Sequence, residues 1–181
     1  MEIQMYFKNM TDVLLKPKAT IKKNKNIDLG QGLMYYLIAS FIAGIGIALM
    51  TLGTGLAAII AYPISAVIGL VIGGAIVWFI AKLLGCKTEI GNFIGQMGFT
   101  FAPVNLLSWI PIIGQLVGLY GIYLFYIMLT EASGMNSGKA ILVILIPILL
   151  LVILGLLFAA LLVSVLAGLG LGAIATQFPM M

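Results

Sequence analysis

The sequence predicts an all-α polytopic membrane protein of five transmembrane helices, preceded by an N-terminal amphipathic interfacial helix. Three observations predict it. The chain of 181 residues is 8% charged and 63% hydrophobic, with a mean hydropathy of +1.25, whereas a soluble domain is about 25% charged. Uncharged apolar runs recur that are long enough to cross a hydrocarbon core of about 30 Å at about 1.5 Å per residue. All nine basic residues are lysines, and six of them lie in the first 25 residues.

Ile3, Tyr6, Phe7, Met10, Val13 and Leu14 fall at helical spacing, with Gln4, Lys8, Asn9, Thr11 and Asp12 between them. Residues 2–16 are too short and polar to span, so they predict an amphipathic helix in the interface, ended by Pro17. The same pattern also suits a helix packed on the cytoplasmic ends of the spans. Lys18, Lys22, Lys23 and Lys25 follow as lipid-surface residues, each worth about 1 kcal/mol beside anionic headgroups. Glu2, Lys8 and Asp12 precede any long apolar run, unlike a cleaved signal peptide, so the chain is expected to keep its first residues. Residues 1–27 form the cytoplasmic segment, 28–167 the transmembrane domain and 168–181 a Gly-rich tail.

The first span is expected over 29–52, with Asp28 capping its positive end. An uncharged turn at 53–55 makes the first outer loop. The run from Leu56 to Ala81 holds no charge. Pro63 suits the first turn of a second span over 62–84, with 56–61 as a short outer segment and Lys82 at the negative end of the helix. Thr88 is placed to cap a third span running to Ser108, with Glu89 at its start. Pro103 predicts a kink or discontinuity within that span, and Asn105 and Ser108 are candidates to bond the carbonyls it leaves unpaired. Trp109 marks the outer interface. The fourth span covers 112–132 and the fifth 139–167, tilted and kinked at Pro147. A six-span alternative breaks the last run near Gly155.

Threading follows from the lysines. With the N-terminus inside, five spans bring Lys82, Lys87 and Lys139 to the cytoplasmic side and leave the other loops uncharged, a positive-inside pattern. The predicted location is the cell membrane, with the N-terminus cytoplasmic and the C-terminus outside.

Several function classes are excluded by composition. There is no histidine, so Ser-His proteolysis and histidine-ligated metal chemistry have no residues to use. Asp12 and Asp28 lie near the N-terminal surface, away from any buried dyad. No enzyme activity, catalytic residue, metal or cofactor is expected. The basic segment is too small to grip a duplex, so nucleic acid is not an expected partner. Lone Cys86 forms no internal disulfide, and beside Lys87 it is a candidate for acylation or oxidation against the plainer reading of an inert thiol.

Two constellations remain. Gln96, Thr100, Pro103 and Asn105 of the third span are a candidate polar seam or pathway; Gln96 and Thr100, four apart, share a face. Such side chains also serve as interhelical bonds. Lys82, Lys87, Glu89, Glu131 and Lys139 form a candidate cytoplasmic charge network. Small-residue pairs Ser40/Gly44, Gly69/Gly73, Gly91/Gly95, Gly114/Gly118 and Gly168/Gly172 read as packing seams or a homo-oligomer face.

The segments Leu14-Leu15-Lys16-Pro17, Gly85-Cys86-Lys87-Thr88, Phe101-Ala102-Pro103, Ile110-Pro111 and Gly138-Lys139-Ala140 resemble the Yip family, the Ypt/Rab-interacting integral membrane proteins. The resemblance runs from about Met10 to Leu166. It implies five spans, a cytoplasmic N-terminus, and, from eukaryotic members, a role in vesicle traffic with contact to prenylated small GTPases. Those members carry a longer N-terminal region with an acidic-aromatic-Gly-Pro motif, which this chain lacks; its brevity fits a prokaryotic member. The expected function is a non-enzymatic membrane-organising or trafficking-like scaffold that binds partners or lipid at its cytoplasmic face. Its expected partners are the lipid bilayer, membrane proteins or small GTPase-like proteins, and further copies of itself. The alternative is a small transporter or channel with a pathway along the proline-broken third helix.

Overall fold

The computed structural model describes residues 3–52 and 55–168. Among these the chain is helical with no strand: α1 (Ile3–Leu15), α2 (Pro17–Lys23), α3 (Leu29–Met50), α4 (Ala58–Leu83), α5 (Ile90–Leu107), α6 (Ile113–Ile127) and α7 (Ser137–Gly168). A π-helical turn, Met128–Ala132, continues α6. Among the described residues four stretches are long and apolar enough to cross a membrane: Leu29–Met50, Ala58–Leu83, Ile113–Ala132 and Ser137–Val165. Of the expected outer loop at 53–55, residues 53 and 54 lie outside the described residues, as does the expected Gly-rich tail from residue 169 onward. Contacts divide the chain into two units, residues 1–144 and 145–181.

The first unit is built around α5, eleven of whose 18 residues are buried. α3 lies along it in the same direction, with Gly32 against Gly95 and Gly98 and Ser40 against Asn105. The contact is backbone on backbone: a Cβ on Gly32 would collide with the Gly95 carbonyl, and one on Gly98 would sit 2.5 Å from the Gly32 oxygen. In lipid, where apolar side chains gain nothing by leaving the solvent, this close approach supplies the packing attraction. α4 runs the opposite way, with Gly44 against Ala58 and Ile59 and Gly74 against Ile94 and Met97. α6 is likewise antiparallel to α5, since Gly114 meets Ser108 while Phe125 stacks with Phe101 at 5.7 Å.

The N-terminal segment folds onto this bundle. Pro17 separates α1 from α2 and opens α2 at a position needing no N–H. Met10 and Val13 are buried in one cluster with Tyr35, Ala39, Phe99, Ala102 and Leu124. Asn9 Nδ2 donates to the Tyr35 hydroxyl at 2.6 Å, and the Tyr120 hydroxyl donates to the Leu14 carbonyl at 2.9 Å. The buried side of α1 therefore packs on α3, α5 and α6, the arrangement given above as the alternative, while Met5, Phe7 and Leu15 stay exposed.

Asp28 caps α3 as its sequence position suggests, its carboxylate accepting from the Gln31 N–H at 2.8 Å. Other boundaries differ from expectation for local reasons. α4 begins at Ala58, so it absorbs most of the expected outer segment and leaves Pro63 inside the helix. Gly44 permits this, because it lets the backbone of Ala58 and Ile59 pack directly on α3. Glu89, not Thr88, occupies the N-cap of α5 and makes no side-chain cap; the Thr88 carbonyl instead accepts from Trp78 Nε1 at 2.9 Å. α5 is continuous through Pro103. Asn105 and Ser108 do not repair the proline-depleted carbonyl, since their polar atoms are engaged elsewhere, as described below.

The first residues of α7 belong to the first unit, where Ala140 and Val143 are fully buried. α7 then continues without a break past Pro147 and Gly155, so the division near Gly155 does not occur. In the second unit the described residues are the remainder of α7, an uncharged apolar helix exposed at every position from 148 to 165.

Candidate functional site

The expected polar seam on α5 separates into two knots and one isolated hydroxyl. At the end of the bundle where the lysines gather, the buried Gln96 side chain donates from Nε2 to the Lys25 carbonyl at 2.6 Å and accepts from Ser133 Oγ at 3.0 Å. One amide thus joins the segment between α2 and α3, the central helix, and the connection leading into α7. Because its donor and its acceptor are both used by the chain, Gln96 acts as a brace.

Further along α5, Asn105 Nδ2 donates to Ser40 Oγ at 2.6 Å, and Asn105 Oδ1 accepts from the Tyr62 hydroxyl at 2.6 Å. Ser40 Oγ in turn donates to the Tyr36 carbonyl, and Ser108 Oγ donates to the Asn105 carbonyl while lying 3.1 Å from the Tyr62 hydroxyl. Three helices are tied together here: α3 through Ser40, α4 through Tyr62 and α5 through Asn105. Thr100 lies between the two knots with its Oγ1 buried and without a hydrogen-bond partner among the described residues. Pro103, also buried, contributes shape and no polar atom.

A water-filled pathway needs polar groups turned toward the route. Gln96 turns its amide toward the connecting segments and Asn105 toward neighbouring helices, and the helix that carries them is unbroken. Composition and i, i+4 spacing pick out Gln96, Thr100 and Asn105, but they do not reach Ser40 and Tyr62 as polar partners. The available signal is weak: a lone serine and a tyrosine in apolar runs, each a group that must find a partner in lipid.

The charged residues do not form the expected network. Glu131 sits in the π-helical turn, where Ser133 N–H reaches back to the Met128 carbonyl at 3.0 Å. Its carboxylate lies 3.9 Å from Lys22 Nζ, and among the described residues this is the sole ion pair. Lys82, Lys87 and Lys139 are therefore not its partners: α2 packs beside the π-helical turn and brings Lys22 closer. Lys82 instead lies over the Trp78 ring, 5.8 Å from its centroid, and Lys139 Nζ comes near Gly85, whose positive φ makes the turn between α4 and α5. Lys87 and Glu89 are exposed in that turn, and Lys18, Lys22, Lys23 and Lys25 are exposed on and after α2. The turns carrying these groups are joined by the Gln96 brace and the Glu131 contact, so they occupy one end of the bundle.

Cys86 is 3% exposed, which leaves its thiol sheltered from acylation or oxidation. Among the described residues no group of three or more His, Cys, Asp or Glu side chains is placed to hold a metal ion.

A family model described as the Yip1 domain matches residues 11–159 of the chain. No curated protein and no solved structure matches it.

Proposed function

The chain belongs to the Yip family, and from that premise we propose a non-enzymatic scaffold of five spans that binds anionic lipid and partner proteins at a cytoplasmic face. The observation that carries the reading is the gathering of α2, the turn between α4 and α5, and the turn between α6 and α7 at one end of the first unit. That end presents Lys18, Lys22, Lys23, Lys25, Lys82, Lys87 and Lys139 against the acids Asp28, Glu89 and Glu131, the last paired with Lys22. α5 counts as the fifth span in this reading. It is less apolar than its neighbours because α1, α3, α4 and α6 enclose it, and its shared direction with α3 supports two crossings in the same sense. The exposed lysines favour the anionic leaflet, which supports a cytoplasmic N-terminus in the cell membrane and a C-terminus outside.

On this reading α1 and α2 are a fixed part of the recognition face, held by Tyr35 and Tyr120, and a membrane protein or small GTPase-like protein docks against them. Photocross-linking in intact cells from positions 18 and 23, with position 110 as the opposite-end control, tests it. Adducts to a membrane or GTPase-like protein from 18 and 23 alone are expected. No adduct there, together with equal retention of anionic lipid by the wild type and by a variant with Lys18, Lys22, Lys23 and Lys25 changed to Gln, overturns the scaffold.

A further inference from the structure

A lateral cavity of about 480 Å³ opens beside the Asn105 knot, lined by Tyr36 of α3, by Tyr62 and Gly69 of α4, by Met97 and Asn105 of α5, and by Ser108 just after α5. Its volume falls within the range of small-ligand sites, about 300–1,000 Å³. The lining is graded along its length. Tyr62, Ser65, Asn105 and Ser108 gather toward the end of the bundle away from the lysines, while Leu70, Met97 and Phe101 form walls nearer the middle. No charged side chain lines it.

Two details point to an occupant. The Tyr36 hydroxyl has no hydrogen-bond partner among the described residues, although it sits in a lining otherwise joined by the Ser40–Asn105–Tyr62–Ser108 bonds. In hydrocarbon an unpaired hydroxyl is costly, and an acceptor on a bound molecule would relieve it. Gly69 lines this space with nothing within 4 Å of where a Cβ would stand, so a larger side chain at this position has room to extend over the lining. A helix interior otherwise disfavours glycine by about 1 kcal/mol relative to alanine.

We propose that this cavity is a binding site for an uncharged, single-chain-wide amphiphile, such as one ester-linked acyl chain of a glycerolipid. The ester carbonyl accepts from the Tyr36 hydroxyl, the head lies near Tyr62 and Ser108, and the chain runs along Gly69, Leu70 and Met97. The absence of cationic lining selects against a carboxylate or phosphate head. The proposal is independent of the cytoplasmic scaffold, whose lysines are at the other end.

The test is titration of the full-length protein in maltoside micelles with a fluorescent monoacylglycerol. Wild type is expected to show saturable binding. Gly69→Leu fills the cavity and is expected to weaken binding at least about tenfold. Gly73→Leu, whose Cβ also meets nothing within 4 Å but which lies outside the lining, is the control and should bind as wild type. Tyr36→Phe should weaken binding about fivefold, the scale of one net hydrogen bond. If Gly69→Leu does not fold, Tyr36→Phe and Ala66→Leu carry the test. Unchanged binding in the cavity variants, equal loss in Gly73→Leu, or stronger binding of the corresponding fatty-acid anion would overturn the proposal. So would a Gly69→Cys protein that cross-links copy to copy in proportion to its failure to bind the probe, because the occupant would then be a second chain.

Discussion

Replacing Ser40 and Asn105 by alanine, singly and together, measures the knot that joins α3, α4 and α5. Asn105 is 7% exposed and Ser40 fully buried, and the bond between them is 2.6 Å. Ser40→Ala removes that bond and the one to the Tyr36 carbonyl, leaving Asn105 its acceptor contact from Tyr62. Asn105→Ala removes both of its side-chain bonds but leaves Ser40 bonded to Tyr36 and Tyr62 beside Ser108. Interhelical bonds in membranes average about 0.6 kcal/mol and reach about 1.7. Asn105→Ala should therefore cost about 1–3 kcal/mol, Ser40→Ala about 1, and the pair should couple by about 0.6–1.5 because each single change removes the same bond. Unfolding equilibria in mixed detergent micelles give the four free energies. Additivity within about 0.3 kcal/mol would refute the claim that these side chains hold the helices through each other.

Thr100→Val replaces an unpartnered buried hydroxyl by a methyl group of similar shape, so it is expected to leave stability unchanged or raise it by about 1 kcal/mol; a loss above about 1 kcal/mol in the same unfolding assay would show that the hydroxyl has a partner. Gly95→Ala drives a Cβ into the Asp28 carbonyl at the start of α3, and should cost about 2 kcal/mol or more and speed amide exchange in the first turns of α3. Glu131→Gln removes a 3.9 Å pair whose lysine side chain is 72% exposed; the expected change is under about 1 kcal/mol and shrinks further in salt, as thermal unfolding at low and high ionic strength would register.

The elements that could be read from the sequence are those set by local chemistry. Asp28 before an apolar run is an N-cap whatever surrounds it, and Pro17 closes one helix and opens another because it lacks an N–H. What sequence could not give is which partner a group meets across the bundle. Pro63 suits a first turn on local grounds, yet Gly44 on a different helix lets α4 start one turn earlier. Glu131 has three lysines at plausible sequence positions, but the packing of α2 beside the π-helical turn selects Lys22. Glycine spacing was informative only in part. Ser40, Gly44, Gly95 and Gly114 do meet backbone or side-chain neighbours, whereas Gly69, Gly73 and Gly118 face open space. Gly32 and Gly98, which form the closest crossing with Gly95, needed the register of α3 on α5 to be recognised. The polar residues of α5 were identifiable as exceptions in an apolar chain; that Gln96 braces loops while the Thr100 hydroxyl meets no partner among the described residues depends on angular position to within a fraction of a turn.

The proposed scaffold requires all the lysine-bearing turns to lie on one side of a membrane crossed five times. In a Cys86→Ala background, single cysteines at positions 24, 87, 110 and 136 can be labelled in sealed, oriented vesicles with a membrane-impermeant maleimide. Positions 24, 87 and 136 should label from the cytoplasmic side alone and position 110 from the opposite side alone. Labelling of 110 together with 87, from the same side, would mean that α5 does not cross, and would contradict the account at its centre.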